Sequence, residues 1–475
     1  MITKIEIDGF KTFQQFKMEF SPLTVIAGTN ASGKSNLFDA IQLLSRLAGA
    51  DLRTAFSEQR GEAAELFTQY GEDSYAEEMY FAVELLLNKK VRDNWGGKAD
   101  LKYTRLRYEL KIKRDKKETD LENLYVIHEH LETVKHDGDS WIKKFLPKET
   151  SEFWRPKVSV GKRQSPYIET ETSRGAIIIR QDDKGGNRKE FPITAGITQT
   201  ILSGINSVDF KHAFAVGEEL KSWKFLQLNP QVLREPTRQD IGMRDSITQS
   251  GENLAAALHR IKLSDEYALK DISRRLNNLL PNITDVNVFN DKPNKQYIIK
   301  IKSEDGREFS SRVLSEGTLR LLALCIFQFD EQHNGLLCFE EPENGIHPAR
   351  MKDMTCLLKD LSVDFFDIKM PLRQVIVNTH SPLLVSEVFN LEQHPTATVW
   401  LSQLVTITSE VNGKKLKLQI SKILPVEGDF ITNRNGINNI NFPEPERKLV
   451  FNQLKKYLEN AGHDIEKTIS FLNQK

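Results

Sequence analysis

The sequence predicts an α/β fold, a mixed sheet of buried strands whose carboxyl ends carry the chemistry, with helices and antiparallel strands around it. Three stretches carry that expectation. Residues 23–27 form a short apolar strand that runs into Gly28-Thr29-Asn30-Ala31-Ser32-Gly33-Lys34-Ser35 and then into a periodic helix over 36–48. Residues 336–341 are an apolar run ending in Glu340-Glu341, and residues 373–378 are another, ending before Thr379-His380-Ser381-Pro382. Parallel sheets place ligands at the carboxyl ends of their strands, which is where these polar groups fall.

Taken in order, residues 2–7, 13–20 and 23–27 read as strands, with Gly9 and Ser21-Pro22 as breaks. After the 36–48 helix, 51–70 is mixed and polar, and 79–87 and 102–113 alternate as strands of an antiparallel sheet. Residues 125–135 and 141–145 flank a turn at His136-Asp137-Gly138-Asp139, and 175–181 and 189–193 flank one at Lys184-Gly185-Gly186-Asn187, so both pairs read as hairpins. Between 114 and 222 lysines and aromatics interleave (Trp141, Lys143, Phe145, Trp154, Lys157), as a nucleic-acid surface would have them. Acidic residues are as frequent there, and a solvated β-rich insertion is the favoured reading.

Residues 253–261 and 267–279 read as two short helices, too short for coiled-coil arms, and 285–289, 296–301 and 308–313 as strands. An apolar helix over 319–329 precedes the acidic strand. Beyond the third strand, 396–405 and 411–420 form a hairpin around Asn412-Gly413, 433–441 is a polar loop, and Val450, Phe451, Leu454, Tyr457, Leu458, Ile465, Ile469 and Leu472 recur at helical spacing around Gly462.

The chain has 66 Lys and Arg against 66 Asp and Glu, so the overall balance asks for neither nucleic acid nor an anionic membrane. Cys325, Cys338 and Cys356 sit in apolar surroundings without a C-x-x-C pair and read as reduced core residues of a cytoplasmic protein. The longest apolar run, 321–327, is too short to cross a bilayer.

The G-x-x-x-x-G-K-S pattern from Gly28 to Ser35, between strand and helix, is that of a P-loop. Its glycines let successive N–H groups converge on phosphate oxygens at a helix N-terminus; Lys34 would reach the β- and γ-phosphates and the Ser35 hydroxyl would ligate Mg²⁺. Leu314-Ser315-Glu316-Gly317-Thr318 opens the apolar helix, where a serine also serves as an ordinary N-cap. Of Glu340 and Glu341, one can hold the Mg²⁺ shell while the other orients or deprotonates water. His380 is placed to sense the γ-phosphate, although a lone histidine after a strand is often structural.

In this order, the P-loop, Ser-Glu-Gly, Glu-Glu and Thr-His motifs resemble the ABC-type ATPases of the SMC/RecF/Rad50/OLD group. Ser315-Glu316-Gly317-Thr318-Leu319-Arg320 and Glu340-Glu341-Pro342-Glu343-Asn344-Gly345-Ile346-His347-Pro348 resemble its compact, armless bacterial members, including the ATPase subunits of phage-defence systems such as PARIS and Septu. The resemblance covers the first hundred residues or so and residues 225–389. It implies an ABC-type head, with an ATPase lobe carrying the Walker A loop over 1–113 and a helical region and second lobe over 223–395; the residue pattern adds a β-rich insertion over 114–222 and a C-terminal β segment with helices over 396–475.

Carried over by motif, Gly28, Thr29, Asn30, Ala31, Ser32, Gly33, Lys34, Ser35 and Asn36 would bind ATP, with Lys11 as a further contact. Ser315 and Gly317 would touch the γ-phosphate held by a second subunit. Glu340, Ser35 and Gln59, the best Q-loop candidate, would surround Mg²⁺, Glu341 would be the catalytic base and His380 the switch histidine. Glu340 stands where many members have Asp. The resemblance further implies a head-to-tail dimer over two ATPs and slow hydrolysis, coupled to a separate effector that resembles a Toprim-like nuclease in some systems. A DNA-maintenance ATPase binding duplex DNA is the competing reading, and a membrane transporter subunit is disfavoured by the long insertion.

Overall fold

The computed structural model describes residues 1–426, except 72–73, 117–121, 159–162, 164, 183–187, 240–244, 331–333, 392–395 and 412–413, together with 456–457. The turns expected at 184–187 and 412–413, the polar loop at 433–441 and, apart from Tyr457, the C-terminal helical pattern lie outside the described residues.

Among these residues the central sheet has six strands in the order Lys224–Leu226, Gly335–Glu340, Arg373–Thr379, Leu23–Ala27, Ala397–Val411 and Lys414–Pro425. The first five run parallel and the last returns antiparallel. All seven residues of Arg373–Thr379 and all five of Leu23–Ala27 are buried. Their alternate residues enter different cores, as a strand covered on both faces requires. Ile26, Leu336, Cys338 and Ile376 join the core that contains the P-loop helix, Lys34–Leu47. Leu23, Val25, Leu337, Phe339, Val375 and Val377 join the core containing Leu254–Ser264, Glu266–Leu279, Glu316–Phe329 and Met351–Asp360.

The second large sheet is antiparallel, with eight strands in the order Arg188–Pro192, Ala176–Arg180, Ile168–Glu171, Glu122–Thr133, Arg105–Lys116, Glu78–Leu86, Ile2–Asp8 and Phe16–Glu19. Residue 114 falls within one of these strands, so the residues on either side of it share one sheet. Gln374 fastens the two sheets: its carboxamide accepts from the Ile2 N–H at 2.9 Å and donates to the Ile2 and Ser21 carbonyls at 2.8 and 3.0 Å.

The structure corrects two expectations. Ser140–Phe145 is a helix rather than a strand. The Asp139 carboxylate accepts from the Ile142 N–H and caps it, and Trp141, Ile142 and Phe145 fall on one buried face. Trp141 and Trp154 meet Phe365 at ring-centroid distances of 5.9 and 5.4 Å, so these aromatics serve a core and not an open groove. The strand expected to reach 313 ends at Ser310, and Ser311–Val313 is a single 3₁₀ turn leading to the 316–329 helix. The longest helices of the described residues have 14 residues each. No described helix is long and apolar enough to cross a membrane.

Candidate functional site

The Leu23–Ala27 strand delivers the chain to Gly28 at the edge of the core, and the loop turns through Gly33 into the Lys34–Leu47 helix. Gly33 has φ +93°, a left-handed conformation that a side chain would strain, and a Cβ there would lie 1.8 Å from the Ser421 hydroxyl. At Gly28 a Cβ would lie 2.6 Å from the Ser402 carbonyl oxygen. The hairpin of Ala397–Val411 and Lys414–Pro425 thus presses on both glycines of the motif.

A cavity of about 360 Å³ opens over this loop, lined by Thr12, residues 30–36, Glu341, Asn378 and Leu404. Lys34 is buried and folds back, its ammonium donating to the Gly28 and Thr29 carbonyls at 2.8 and 2.9 Å. Burial lowers its pKa, while Glu341 and Glu343 are near enough to pull it back up. Asn36 donates to the Thr12 hydroxyl at 2.8 Å. The Ser32 hydroxyl and the Asn378 carboxamide oxygen are buried among the lining residues without a hydrogen-bond partner. A phosphate ligand and its cation offer partners for such groups.

Glu340 ends its strand in register with Asn378, and Glu341 follows in a left-handed conformation at φ +47°. Glu341 is among the residues lining the cavity and Glu340 is not. The Glu340 carboxyl is half-buried, which raises its pKa; Arg60 opposes the shift, and Asp39 and Glu341 add to it. Glu341 lies at the cavity mouth, one carboxylate oxygen 3.0 Å from His380 Nδ1 and the other accepting from the Asn344 carboxamide at 2.9 Å. The acid, the histidine and the following loop therefore meet in one chain.

Three further groups lie outside the cavity lining. Lys11 Nζ donates to Asp39 at 2.6 Å rather than facing the loop. Gln59 is buried with neither carboxamide atom partnered, next to Arg60, which also donates to Asp39, at 3.1 and 3.3 Å. Ser315 and Gly317 stand at the start of the Glu316–Phe329 helix, where the exposed Ser315 hydroxyl caps the Thr318 N–H at 3.3 Å. Gly317 packs so tightly on the loop after the acids that a Cβ would lie 2.6 Å from the Gly345 carbonyl oxygen. Within one chain, then, the Ser-Glu-Gly segment is tied to the Asn344–Gly345 loop and not to the P-loop cavity.

Sequence reasoning missed Asp39 and Glu343. Asp39 lies one helical turn beyond Ser35, a spacing that shares a helix face and could have flagged it. Glu343, the third acid of Glu-Glu-Pro-Glu, is buried; one carboxylate oxygen accepts from the Thr379 hydroxyl and the other has no hydrogen-bond partner. Burial raises its carboxyl above the ordinary range. Thr379 in turn accepts from the Ser381 N–H at 2.9 Å, which fixes the turn that carries His380.

Comparison with known proteins gives one family. Residues 23–386 match the family described as "AAA domain, putative AbiEii toxin, Type IV TA system". No curated protein matches the chain. Among solved structures, an SMC head bound to the C-terminal winged-helix domain of ScpA aligns at 14% identity over 88% of this chain and 98% of its own, with a TM-score of 0.46. The SMC head domain from Thermotoga maritima aligns at 15% identity over 90% and 99%, TM-score 0.36. An SMC head with an extended coiled coil, bound to the C-terminal domain of ScpA and derived from Pyrococcus furiosus, aligns at 13% identity over 96% and 99%, TM-score 0.40. The family match spans the P-loop, the Ser-Glu-Gly segment, both acids and His380, and the chain belongs to this AAA-domain family.

Proposed function

We propose that this protein is an ATP-dependent switch: it binds ATP with Mg²⁺ on the P-loop, closes head-to-tail on a second copy, hydrolyses slowly, and signals to a separate effector protein in bacterial antiphage defence. The observation that carries the reading is that the cavity is half a site. The loop and the base candidate line it and His380 touches that base, while Ser315 is exposed at a helix start elsewhere on the chain. A second chain presenting its own Ser315 and Gly317 N–H groups would supply the missing anion-binding wall, a helix N-terminus aimed at the outer phosphate.

The roles follow from that geometry. Lys34 would exchange its two carbonyl partners for phosphate oxygens, and the N–H groups of residues 29–35 would surround the inner phosphates. Ser35 and Glu340 offer the hard oxygen ligands Mg²⁺ prefers, with Gln59 as a candidate contributor through its unpartnered carboxamide. Bound with ATP, Mg²⁺ would neutralise phosphate charge. Glu341, oriented by His380 and Asn344, would take a proton from the attacking water. Because Gly317 rests on Gly345, a change at the acid loop would pass to the face presented to the partner. The family's description, which names a toxin–antitoxin system, supports a partner-gated output.

Binding and turnover test the assignment together. Lys34→Ala is expected to abolish ATP binding in calorimetry. Glu341→Gln is expected to keep binding while lowering the turnover number by roughly 10²-fold or more. A Glu341→Gln protein with undiminished turnover would remove the base. Expressed from its native operon, the same variant is expected to carry a second protein through purification; nucleic acid in its place would point to DNA maintenance.

A further inference from the structure

The hairpin that ends the central sheet is longer than its place there requires. Its first strand, Ala397–Val411, pairs with the P-loop strand only from Ala397 to Leu401. Beyond that point it pairs only with its return strand, Lys414–Pro425, and so runs on past the phosphate loop. Its root is fastened there. The Ser402 hydroxyl donates to the Ser32 carbonyl at 2.8 Å, the Ser421 N–H donates to the Thr12 carbonyl at 2.9 Å, and the Ser421 and Thr12 hydroxyls are 2.6 Å apart.

Leu404 is the cross-strand partner of Ser421, so the two side chains share the face turned to the loop. Going outward, that face continues with Thr406, Gln419, Thr408 and Lys417, all exposed. On the opposite face Leu418 and Ile420 are buried and Val405 and Ile407 half-buried, so a leucine 40% exposed on the polar face is out of pattern. It is also the one large apolar side chain among the described residues lining the cavity.

We infer that this hairpin face, led by Leu404, is the platform for the nucleoside part of the bound nucleotide. The inference rests on the nucleotide reading above. A nucleotide anchored by its phosphates must lay its ribose and base along a wall of the same cavity, and an aromatic base seeks apolar surface there. The other described lining residues offer mainly N–H groups, hydroxyls, carboxamides and a carboxylate. Leucine gives contact without direction, so ATP and GTP gain alike from it.

The test compares ATP, GTP and inorganic tripolyphosphate by calorimetry on the full chain in a Glu341→Gln background, with and without Leu404→Asp. Leu404 is 40% exposed, and tripolyphosphate binding with an unchanged thermal unfolding midpoint checks that the loop and the fold are intact. The expected result is an about tenfold rise in Kd for both nucleotides, unchanged Kd for tripolyphosphate, and recovery with Leu404→Met. Nucleotide affinities unmoved by Leu404→Asp would overturn the platform while leaving the nucleotide reading intact. Equal weakening of tripolyphosphate would overturn it too, placing Leu404 in support of the loop. A parent protein that binds none of the three would overturn the nucleotide reading and this inference with it.

Discussion

Glu343 shows how much of this site depends on a residue that never faces the cavity. Its buried carboxylate takes the Thr379 hydroxyl, and Thr379 takes the Ser381 N–H, so the turn bearing His380 hangs from the acid loop. Thr379→Val removes both bonds and leaves a buried carboxylate without its described donor. Urea unfolding is expected to show a loss of about 1–3 kcal/mol, with the turnover number falling because His380 is no longer held against Glu341. Thr379→Val with Glu343→Leu replaces both partners by apolar groups and is expected to regain part of the stability but none of the activity. A Thr379→Val protein within about 0.5 kcal/mol of the parent would mean the bond contributes nothing. Residues of this kind are hard to read from sequence. Glu341 and Lys34 sit in motifs whose spacing implies their chemistry, whereas the part played by Glu343 depends on Thr379, 36 positions away.

Elements were legible where burial imposes a period. The P-loop strand, the acidic strand and the Arg373–Thr379 strand are apolar runs because both faces are covered, and the Glu316–Phe329 helix is apolar for the same reason. The Ser140–Phe145 stretch fits a strand period as well as a helical one because it is only six residues long, and the cap at Asp139 makes it a helix. Packing between elements left no local trace at all. Glu129, on the Glu122–Thr133 strand, is fully buried and accepts from the Ile201 and Leu202 N–H groups at 2.7 and 3.0 Å and from the Tyr108 hydroxyl at 3.0 Å. Burial outweighs these donors and pushes its carboxyl up to about 7 from an ordinary 4.5. Folding therefore favours the protonated form. Its contribution to stability is fully present below pH 4.5 and is lost as the pH rises through 7. Unfolding free energy is expected to fall between pH 4.5 and 7 by up to about 3 kcal/mol, and Glu129→Gln is expected to flatten that slope. Equal slopes in the two proteins would show that Glu129 does not carry the change.

At the scale of the whole molecule, the two sheets are joined by Gln374, and the Ser-Glu-Gly segment is joined to the acids by Gly317 against Gly345. One chain thus carries the 28–35 loop with its acids and, apart from these, an exposed helix start at Ser315. Neither completes the other within the chain. Light scattering on Glu341→Gln tests this most directly, with and without Mg-ATP, beside the same protein carrying Ser315→Arg. Head-to-tail closure requires the mass of Glu341→Gln to at least double on adding Mg-ATP while the Ser315→Arg protein binds ATP and stays as it was. A Glu341→Gln mass indifferent to ATP, or a Ser315→Arg protein that assembles as its parent does, would contradict it.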